Sequence, residues 1–128
     1  MRKMRAVTGT AIAALAAGAL LVTSAFALDL GKLREADDDM RGVSYEGRSV
    51  DDLEDMNVLD EAGQRLGEID DVLIDNDNKV VAFVVDLKDS KRDVVVEADK
   101  LKLEGPAAKH FTTKLTMREL LELPDWRD

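Results

Sequence analysis

Apolar positions are densest between residues 65 and 87, where two apolar runs flank a short polar segment. The runs, 69–74 and 80–85, are rich in the β-branched side chains that favour strands. The segment between them, DNDN at 75–78, consists of residues that readily adopt turn conformations. This pattern predicts a β-hairpin at the centre of the fold.

The first arm of this hairpin breaks the two-residue period of a regular strand. Leu66 and Ile69 are three residues apart, and Gly67 lies between them. A glycine inside a strand often marks a bulge or a close approach of another backbone. We therefore expect a bulge or bend at Gly67.

The second arm, residues 79–87, is apolar on both faces, so we expect a central strand that is covered on both sides. Each large side chain buried there would stabilise the fold by roughly 1.5–3 kcal/mol. One face carries Val81, Phe83 and Val85, and the other carries Val80, Ala82 and Val84.

Shorter apolar segments predict further strands at 56–59, 93–97, 101–103 and 111–115, with a loop at 107–110. The turn signals between them recur about every 8–12 residues, which is typical of small all-β folds. We therefore predict a small β-barrel of five or six short antiparallel strands, closed by a short C-terminal helix.

Turn and cap signals support these boundaries. Gly63 lies in a predicted tight turn, where glycine can take a positive φ. Ser49 can cap one helical turn ahead of the first strand. Thr116 and Glu119 form a capping box for the C-terminal helix, which must end before Pro124.

The first 27 residues have the three parts of a secretory signal peptide. A basic start, MRKMR, precedes an uncharged apolar run, and Ala25 and Ala27 supply the small residues that a signal peptidase reads. We expect cleavage between Ala27 and Leu28 and a periplasmic or secreted product. The alternative is an uncleaved anchor, because residues 6–28 are just long enough to span a bilayer as a helix. Membrane association is expected only in that case.

Residues 28–48 are mostly polar and carry an acidic run at 37–39. This composition predicts a flexible lead segment before a domain at 49–126. The alternative is one or two helical turns through Leu30 and Leu33.

The charge balance is strongly acidic. The whole chain has 18 basic and 27 acidic residues, and three of the basic residues precede residue 28. The mature chain would therefore carry a net charge of −12, which phosphate backbones repel, so nucleic acid is not an expected partner. The acidity favours solubility or life in a saline medium, and an acidic docking face is the alternative. The chain has no cysteine, so disulfides cannot support the fold.

Three short motifs, SVDDL at 49–53, LGEI at 66–69 and KVVA at 79–82, occur together with Gly63. They resemble the PRC-barrel domain, a family named after the photosynthetic reaction centre, whose H subunit carries such a barrel. A family of ribosome-maturation proteins ends in another. The resemblance extends over about residues 49–123.

The resemblance implies a six-stranded barrel that serves protein–protein contact and assembly. It does not imply a catalytic apparatus, and it offers no site residues to carry over. Two features depart from the family pattern. Glu54 and Asp55 stand where relatives often have a small or glycine-containing step, and the short charged segment 88–93 replaces a glycine-rich loop. A partner contact made by that loop in relatives cannot be carried over to this chain.

Candidate chemistry is sparse. His110 is the single histidine and lies in a predicted loop, so no Ser–His–Asp or Cys–His set can be drawn. The DNDN segment fails as a calcium loop, because Lys79 and Val80 stand at its fifth and sixth positions, where an oxygen ligand and a glycine are needed. We therefore expect no enzyme and no catalytic, cofactor or metal site.

These observations favour an exported, non-catalytic interaction or scaffold module of the cell envelope. Its partner would be an unidentified protein, or a second copy, since unpaired strand edges allow a homodimer. The alternative is a periplasmic protein that binds a cation or ligand through its acidic surface. We expect any working surface to lie on the rim or strand edges of the barrel.

Overall fold

The computed structural model describes residues 28–38, 40–104 and 107–127. The predicted signal peptide, with Ala25 and Ala27 of its cleavage motif, lies outside the described residues. Among the described helices, none is long and apolar enough to cross a membrane. The strands are β1 (Arg34–Glu35), β2 (Ser44–Tyr45), β3 (Arg48–Ser49), β4 (Asn57–Leu59), β5 (Arg65–Ile74), β6 (Val80–Leu87), β7 (Asp93–Glu97), β8 (Lys102–Leu103) and β9 (His110–Thr112), and the helices are α1 (Val50–Leu53) and α2 (Met117–Leu121).

The main sheet is a curled, mixed sheet in the order β7-β6-β5-β4-β9-β8. Strand β5 is ten residues long, so one of its edges pairs with β4 at the start and with β1 at the end. The prediction of a small β-barrel fold with a short C-terminal helix is confirmed. One ladder differs from the antiparallel expectation, because β4 and β9 run parallel.

Register shifts bend the central hairpin. The β4–β5 ladder passes over Leu66, and the β5–β6 ladder passes over Asp70 on one strand and Val81 on the other. The predicted irregularity at Gly67 is therefore a bulge at its neighbour Leu66. Gly67 itself faces the β6 backbone so closely that an added Cβ would clash with the Asp86 carbonyl oxygen.

The bulge at Val81 changes which residues of β6 share a face. An unpaired residue shifts the alternation by one, so Val80 packs with Phe83 and Val85 in the larger apolar cluster. Val81 is only half-buried and does not belong to that cluster, contrary to the face predicted for it. Ala82 and Val84 lie in the second cluster, so β6 is covered on both sides.

Two apolar clusters hold the fold. The larger one fills the inside of the curl, where Phe83 is fully buried between two aromatic rings. Its ring centroid lies 5.3 Å from that of Tyr45 and 5.0 Å from that of Phe111. The smaller cluster lies on the other face of the sheet, and it consists of Leu73, Ala82, Val84 and Val95 covered by Leu28, Leu30, Leu33 and Trp126.

The lead segment, residues 28–48, packs on the barrel and so differs from the flexible segment that its composition predicts. Strand β1 pairs with β5, and the Ala36 amide donates to the Val72 carbonyl at 2.8 Å. Ala36 and Val43 are buried. The segment finds partners because β5 extends beyond β4 and leaves an edge and an apolar face for it.

The predicted caps and turns occur at their expected places. Gly63 has a φ of +86°, and the Ser49 side chain accepts from the Asp52 amide. The Thr116 hydroxyl accepts from the Glu119 amide while the Glu119 carboxylate accepts from the Thr116 amide. Leu120 is buried by this helix, whereas Leu121 is 39% exposed.

Candidate functional site

An open groove of about 780 Å³ runs along the ladder between β4 and β9. We refer to it as the β9 groove. Its floor is made by the paired strands, with Leu59 opposite Thr112 and Thr112 opposite Lys102. The groove therefore lies at one end of the sheet, where the ladder finishes at β8.

His110 lines the β9 groove and was placed in a loop by the sequence pattern. In the structure it is the first residue of β9, pairs with Asn57 of β4 and is half-buried. The placement in a loop was therefore wrong. The pattern missed this strand residue because the parallel pairing with β4 is a long-range contact that leaves no local signal.

Hydrogen bonds fix both walls of the groove. On one side, Asp60 Oδ1 accepts from the amides of Ala62 and Gln64 at 2.9 and 2.8 Å, which closes the turn that contains Gly63. On the other side, buried Thr113 donates from Oγ1 to the Lys100 carbonyl at 2.8 Å and accepts from the Leu115 amide at 3.1 Å. These contacts hold the groove open as part of the fold.

The groove carries charges of both signs. Its exposed lysines are Lys100, Lys102 and Lys114, and acidic residues such as Glu119 of the capping box also line it. Lys102 and Glu104 form an ion pair of 3.7 Å with both side chains more than half exposed, so the pair contributes little to stability. The lysines remain accessible to a partner.

The chemical groups in the groove are polar and charged, and they lie on an open surface. The groove offers strand residues, lysines and carboxylates on an open surface. Within residues 28–38, 40–104 and 107–127, no group of three or more His, Cys, Asp or Glu is placed to hold a metal ion.

The residues singled out from the sequence lie in different parts of the structure. Gly63 and Glu119 lie at the groove, whereas Gly67, Phe83 and Val85 are buried in the barrel. Leu28, on the mature side of the predicted cleavage point, is half-buried against the outer apolar cluster. Thr116 is exposed and caps α2, and Val81 lines a shallow depression beside the hairpin tip.

The hairpin tip behaves as a turn. Asp75 Oδ1 accepts from the amides of Asp77 and Lys79 at 2.9 and 3.0 Å. These bonds, first the one from Lys79, lower the pKa of the Asp75 carboxyl, since they stabilise its charged form.

A second polar cluster lies where the lead segment meets the barrel, and the sequence pattern did not anticipate it. Glu54, directly after α1, shares a side-chain hydrogen bond with Asp38 of the lead segment. Burial, this hydrogen bond and the nearby carboxylates of Asp38, Asp71 and Asp55 raise the pKa of Glu54 to about 8. We refer to Asp38, Glu54, Asp55 and Asp71 as the carboxyl cluster.

The family model of the PRC-barrel domain matches residues 46–109, which is half of the chain. The chain belongs to the PRC-barrel domain family. The matched region contains α1, strands β3 to β8 and most of the groove walls, while β9 and the lead segment before residue 46 lie outside it. No curated protein has a sequence that matches the chain.

The structure explains one departure from the family pattern. Asp55 stands at the step after α1 and has a φ of +71°, a conformation that favours glycine. Aspartate is among the few other residues that tolerate it. The position therefore keeps the backbone turn and adds a carboxylate beside Glu54.

Proposed function

We propose that this PRC-barrel protein is exported to the periplasm or beyond and acts there, without catalysis, as a protein–protein interaction or assembly module. The proposal joins two independent lines of support. The N-terminal sequence supports export, and the surface of the barrel supports the interaction role.

The observation that carries the mode of action is the β9 groove beside the end of the sheet. Within the described part of the chain, β8 has β9 as its ladder partner and its other edge is open. An open edge offers backbone donors and acceptors to an extended peptide, and nearby side chains then provide specificity. Lys102 on this edge also protects it from indiscriminate pairing between sheets.

Charge supports a protein partner. The mature chain has a net charge of −12, yet the groove exposes three lysines at its surface. The groove is also lined by five acidic residues, Asp60, Glu61, Asp99, Glu104 and Glu119. A polypeptide segment with charges of both signs would therefore find opposite charges there, while the overall charge disfavours phosphate polymers. A second copy also satisfies this description, since the chain carries 18 basic and 27 acidic residues.

Site-specific photo-cross-linking tests this surface. A photoreactive residue replaces exposed Lys102 in the groove or, as a matched control, exposed Lys91 in the turn between β6 and β7. We expect a reproducible cross-linked product in envelope extracts from position 102 and none from position 91. Lys100→Glu with Lys114→Glu should abolish it, whereas Lys88→Glu with Lys91→Glu should leave it.

Two further results would decide which partner the groove binds, or whether it binds one. A cross-link between two copies, matched by a dimer mass in light scattering, would identify the chain as its own partner. A blank at position 102 across low and high salt would contradict the proposed surface.

The proposed export and cleavage have a separate test. We expect the intact mass of the protein recovered from the periplasm or medium to match a chain that begins at Leu28. Ala27→Arg should block processing and leave the precursor in the membrane fraction, whereas Ser24→Ala should be processed normally. Recovery of the full-length precursor in the cytosol would contradict export.

A further inference from the structure

The two ends of the main sheet are finished differently. At the β7 end, the C-terminal segment covers the edge, and the Val95 amide donates to the Pro124 carbonyl at 2.9 Å. The Trp126 amide donates to the Asp93 carbonyl, also at 2.9 Å. At the other end, the described residues pair β8 with β9 and leave the second edge of β8 free. This edge is therefore the end of the sheet at which another strand can add.

The backbone groups of Leu103 face the free edge. The Thr113 amide donates to the Leu59 carbonyl of β4 at 3.0 Å, so the amide and carbonyl of the preceding residue, Thr112, face β8. Lys102 is opposite Thr112, and its carbonyl accepts from Thr112 Oγ1. Because successive residues of a strand present their backbone groups to alternate sides, the amide and carbonyl of Leu103 face away from β9.

The side chains along this edge complement themselves. Leu103 stands between Lys102 and Glu104, whose side chains share one face of the strand. Both are more than half exposed, and Lys102 Nζ lies 3.7 Å from Glu104 Oε2. An antiparallel pair of two such edges, centred on Leu103, places Lys102 of each copy opposite Glu104 of the other. A pair centred on Lys102 or on Glu104 would place like charges opposite each other, which is destabilising.

Building on the interaction role proposed for the β9 groove, we propose that its partner is a second copy of this chain. The two copies pair through their β8 edges about a two-fold axis that passes between the two Leu103 residues. The same surface then serves on both copies, as in any isologous interface.

This register satisfies the backbone and both faces of the strand. The two Leu103 residues form a hydrogen-bonded pair, in which each amide donates to the carbonyl of the other copy. Their side chains lie on the inner face, where Leu103 is half-buried against the larger apolar cluster, and they cover each other across the axis. On the outer face Lys102 lines the β9 groove, so the grooves of the two copies meet.

Charge selects the register more than it drives the association. Each mature copy carries a net charge of −12, which opposes pairing at long range. At physiological ionic strength charges more than about 8 Å apart are largely screened, whereas the pairs between Lys102 and Glu104 are in contact. The two-fold axis repeats each pair, so a substitution at either position acts twice.

Sedimentation velocity of the mature chain, residues 28–128, provides the first test. At physiological ionic strength we expect a reversible dimer as the protein concentration rises to millimolar. Lys102→Glu places like charges opposite each other at two points and should weaken the dimer by about tenfold or more. Lys91→Glu, an equal charge change at an exposed position in the turn between β6 and β7, should leave it unchanged.

Charge exchange between the two positions tests the register directly. Glu104→Lys should weaken the dimer as Lys102→Glu does. The two substitutions in one chain keep its net charge and should restore wild-type association. A mixture of the two single variants should form a heterodimer, because one edge is then acidic and the other basic. All these variants should keep the wild-type melting curve, since both side chains are exposed.

Engineered cysteines provide a second readout, because the chain has no cysteine of its own. A mixture of Lys102→Cys and Glu104→Cys chains should form a disulfide between copies, since opposite residues of an antiparallel pair have Cα atoms about 4.5–5.5 Å apart. Lys102→Cys by itself should not, because the two positions 102 would lie about 8 Å apart, beyond the reach of a disulfide.

Three results would overturn the proposed pairing. They are a monomer at every concentration, a dimer that Lys102→Glu leaves intact, and a disulfide dimer of Lys102→Cys by itself. The interaction role has its own outcome. If the chain is monomeric but a photoreactive residue at position 102 still captures another envelope protein, the second copy is the wrong partner and the interaction role stands. A blank at position 102, with the purified chain and with extracts, would remove both.

Discussion

The central hairpin and the lead segment belong to the same barrel but are buried in it to different extents. In β5 and β6 most side chains are buried, and Phe83 is completely enclosed between Tyr45 and Phe111. The lead segment also makes apolar contacts, since it buries Ala36 and Val43 and packs Tyr45 on Phe83, but its side chains are mostly half-buried or exposed. A two-residue ladder, backbone hydrogen bonds and the contact between Trp126 and Glu35 complete its attachment.

This difference teaches how stability is distributed within one small domain. The long buried ladder between β5 and β6 opens only when the whole fold opens, so amides of the hairpin should exchange slowest. The two-residue ladder between β1 and β5 can open locally, so amides of the lead segment should exchange faster while the barrel remains folded.

The largest expected loss of stability in the hairpin comes from Phe83→Asp. A carboxylate in the fully buried position of Phe83 has no partner and leaves a void, so we expect a loss of more than about 5 kcal/mol and no cooperative thermal unfolding. Phe83→Leu is the control, with an expected loss of about 1–2 kcal/mol and a retained transition. A wild-type melting curve for Phe83→Asp would contradict the central place given to this residue.

The next largest effect is the loss of stability on replacing Gly67, compared with that on replacing Gly63. Gly67→Ala puts a methyl group against the Asp86 carbonyl oxygen of the neighbouring strand, so the backbone must move at a cost of about 2–3 kcal/mol. Gly63→Ala meets no atom within 4 Å but must keep a φ of +86°, which costs about 1 kcal/mol. Urea unfolding measures both losses, and a larger loss for Gly63→Ala would refute the close approach at Gly67.

A smaller effect tests the lead segment. Trp126→Phe removes the indole donor to Glu35, and we expect the lead segment to lose about 1 kcal/mol of docking free energy. Exchange of the Ala36 amide should become faster while that of Val84 stays unchanged. Glu35→Gln keeps an acceptor for the indole, so it should accelerate exchange of the Ala36 amide less than Trp126→Phe does. Equal acceleration at the Ala36 and Val84 amides would contradict the view that the lead segment opens separately from the hairpin.

The smallest effect is the pH response of the hairpin tip. The pKa of Asp75 is lowered in the folded state by the amides of Lys79 and Asp77, so its contribution to stability is present above its unfolded pKa and is lost as the pH falls through its folded pKa. Asp75→Ala should lower the melting temperature slightly at pH 7, and by progressively less as the pH falls below the unfolded value of 3.8. Asp75→Asn keeps an acceptor, so its melting temperature should lie between those of the wild type and Asp75→Ala. A loss of melting temperature that is the same at every pH would contradict this account.

Local patterns in the sequence predicted much of the barrel. The β5–β6 hairpin, the strand at 93–97, the Ser49 and Thr116 caps and the turn at Gly63 follow from side-chain period, β-branching and capping chemistry within a few residues. Such signals are local, so they can be read without knowing which segments meet.

The sequence by itself determined the family, the strand-rich fold and the position of the central hairpin, because each depends on residues close together in the chain. Only the tertiary structure decided that Val80 rather than Val81 joins Phe83, since a bulge forms between paired strands. It alone placed His110 in a parallel ladder and joined Asp38 to Glu54. These are contacts between distant segments, and their partners are fixed by how the sheet curls rather than by any pattern around the residues themselves.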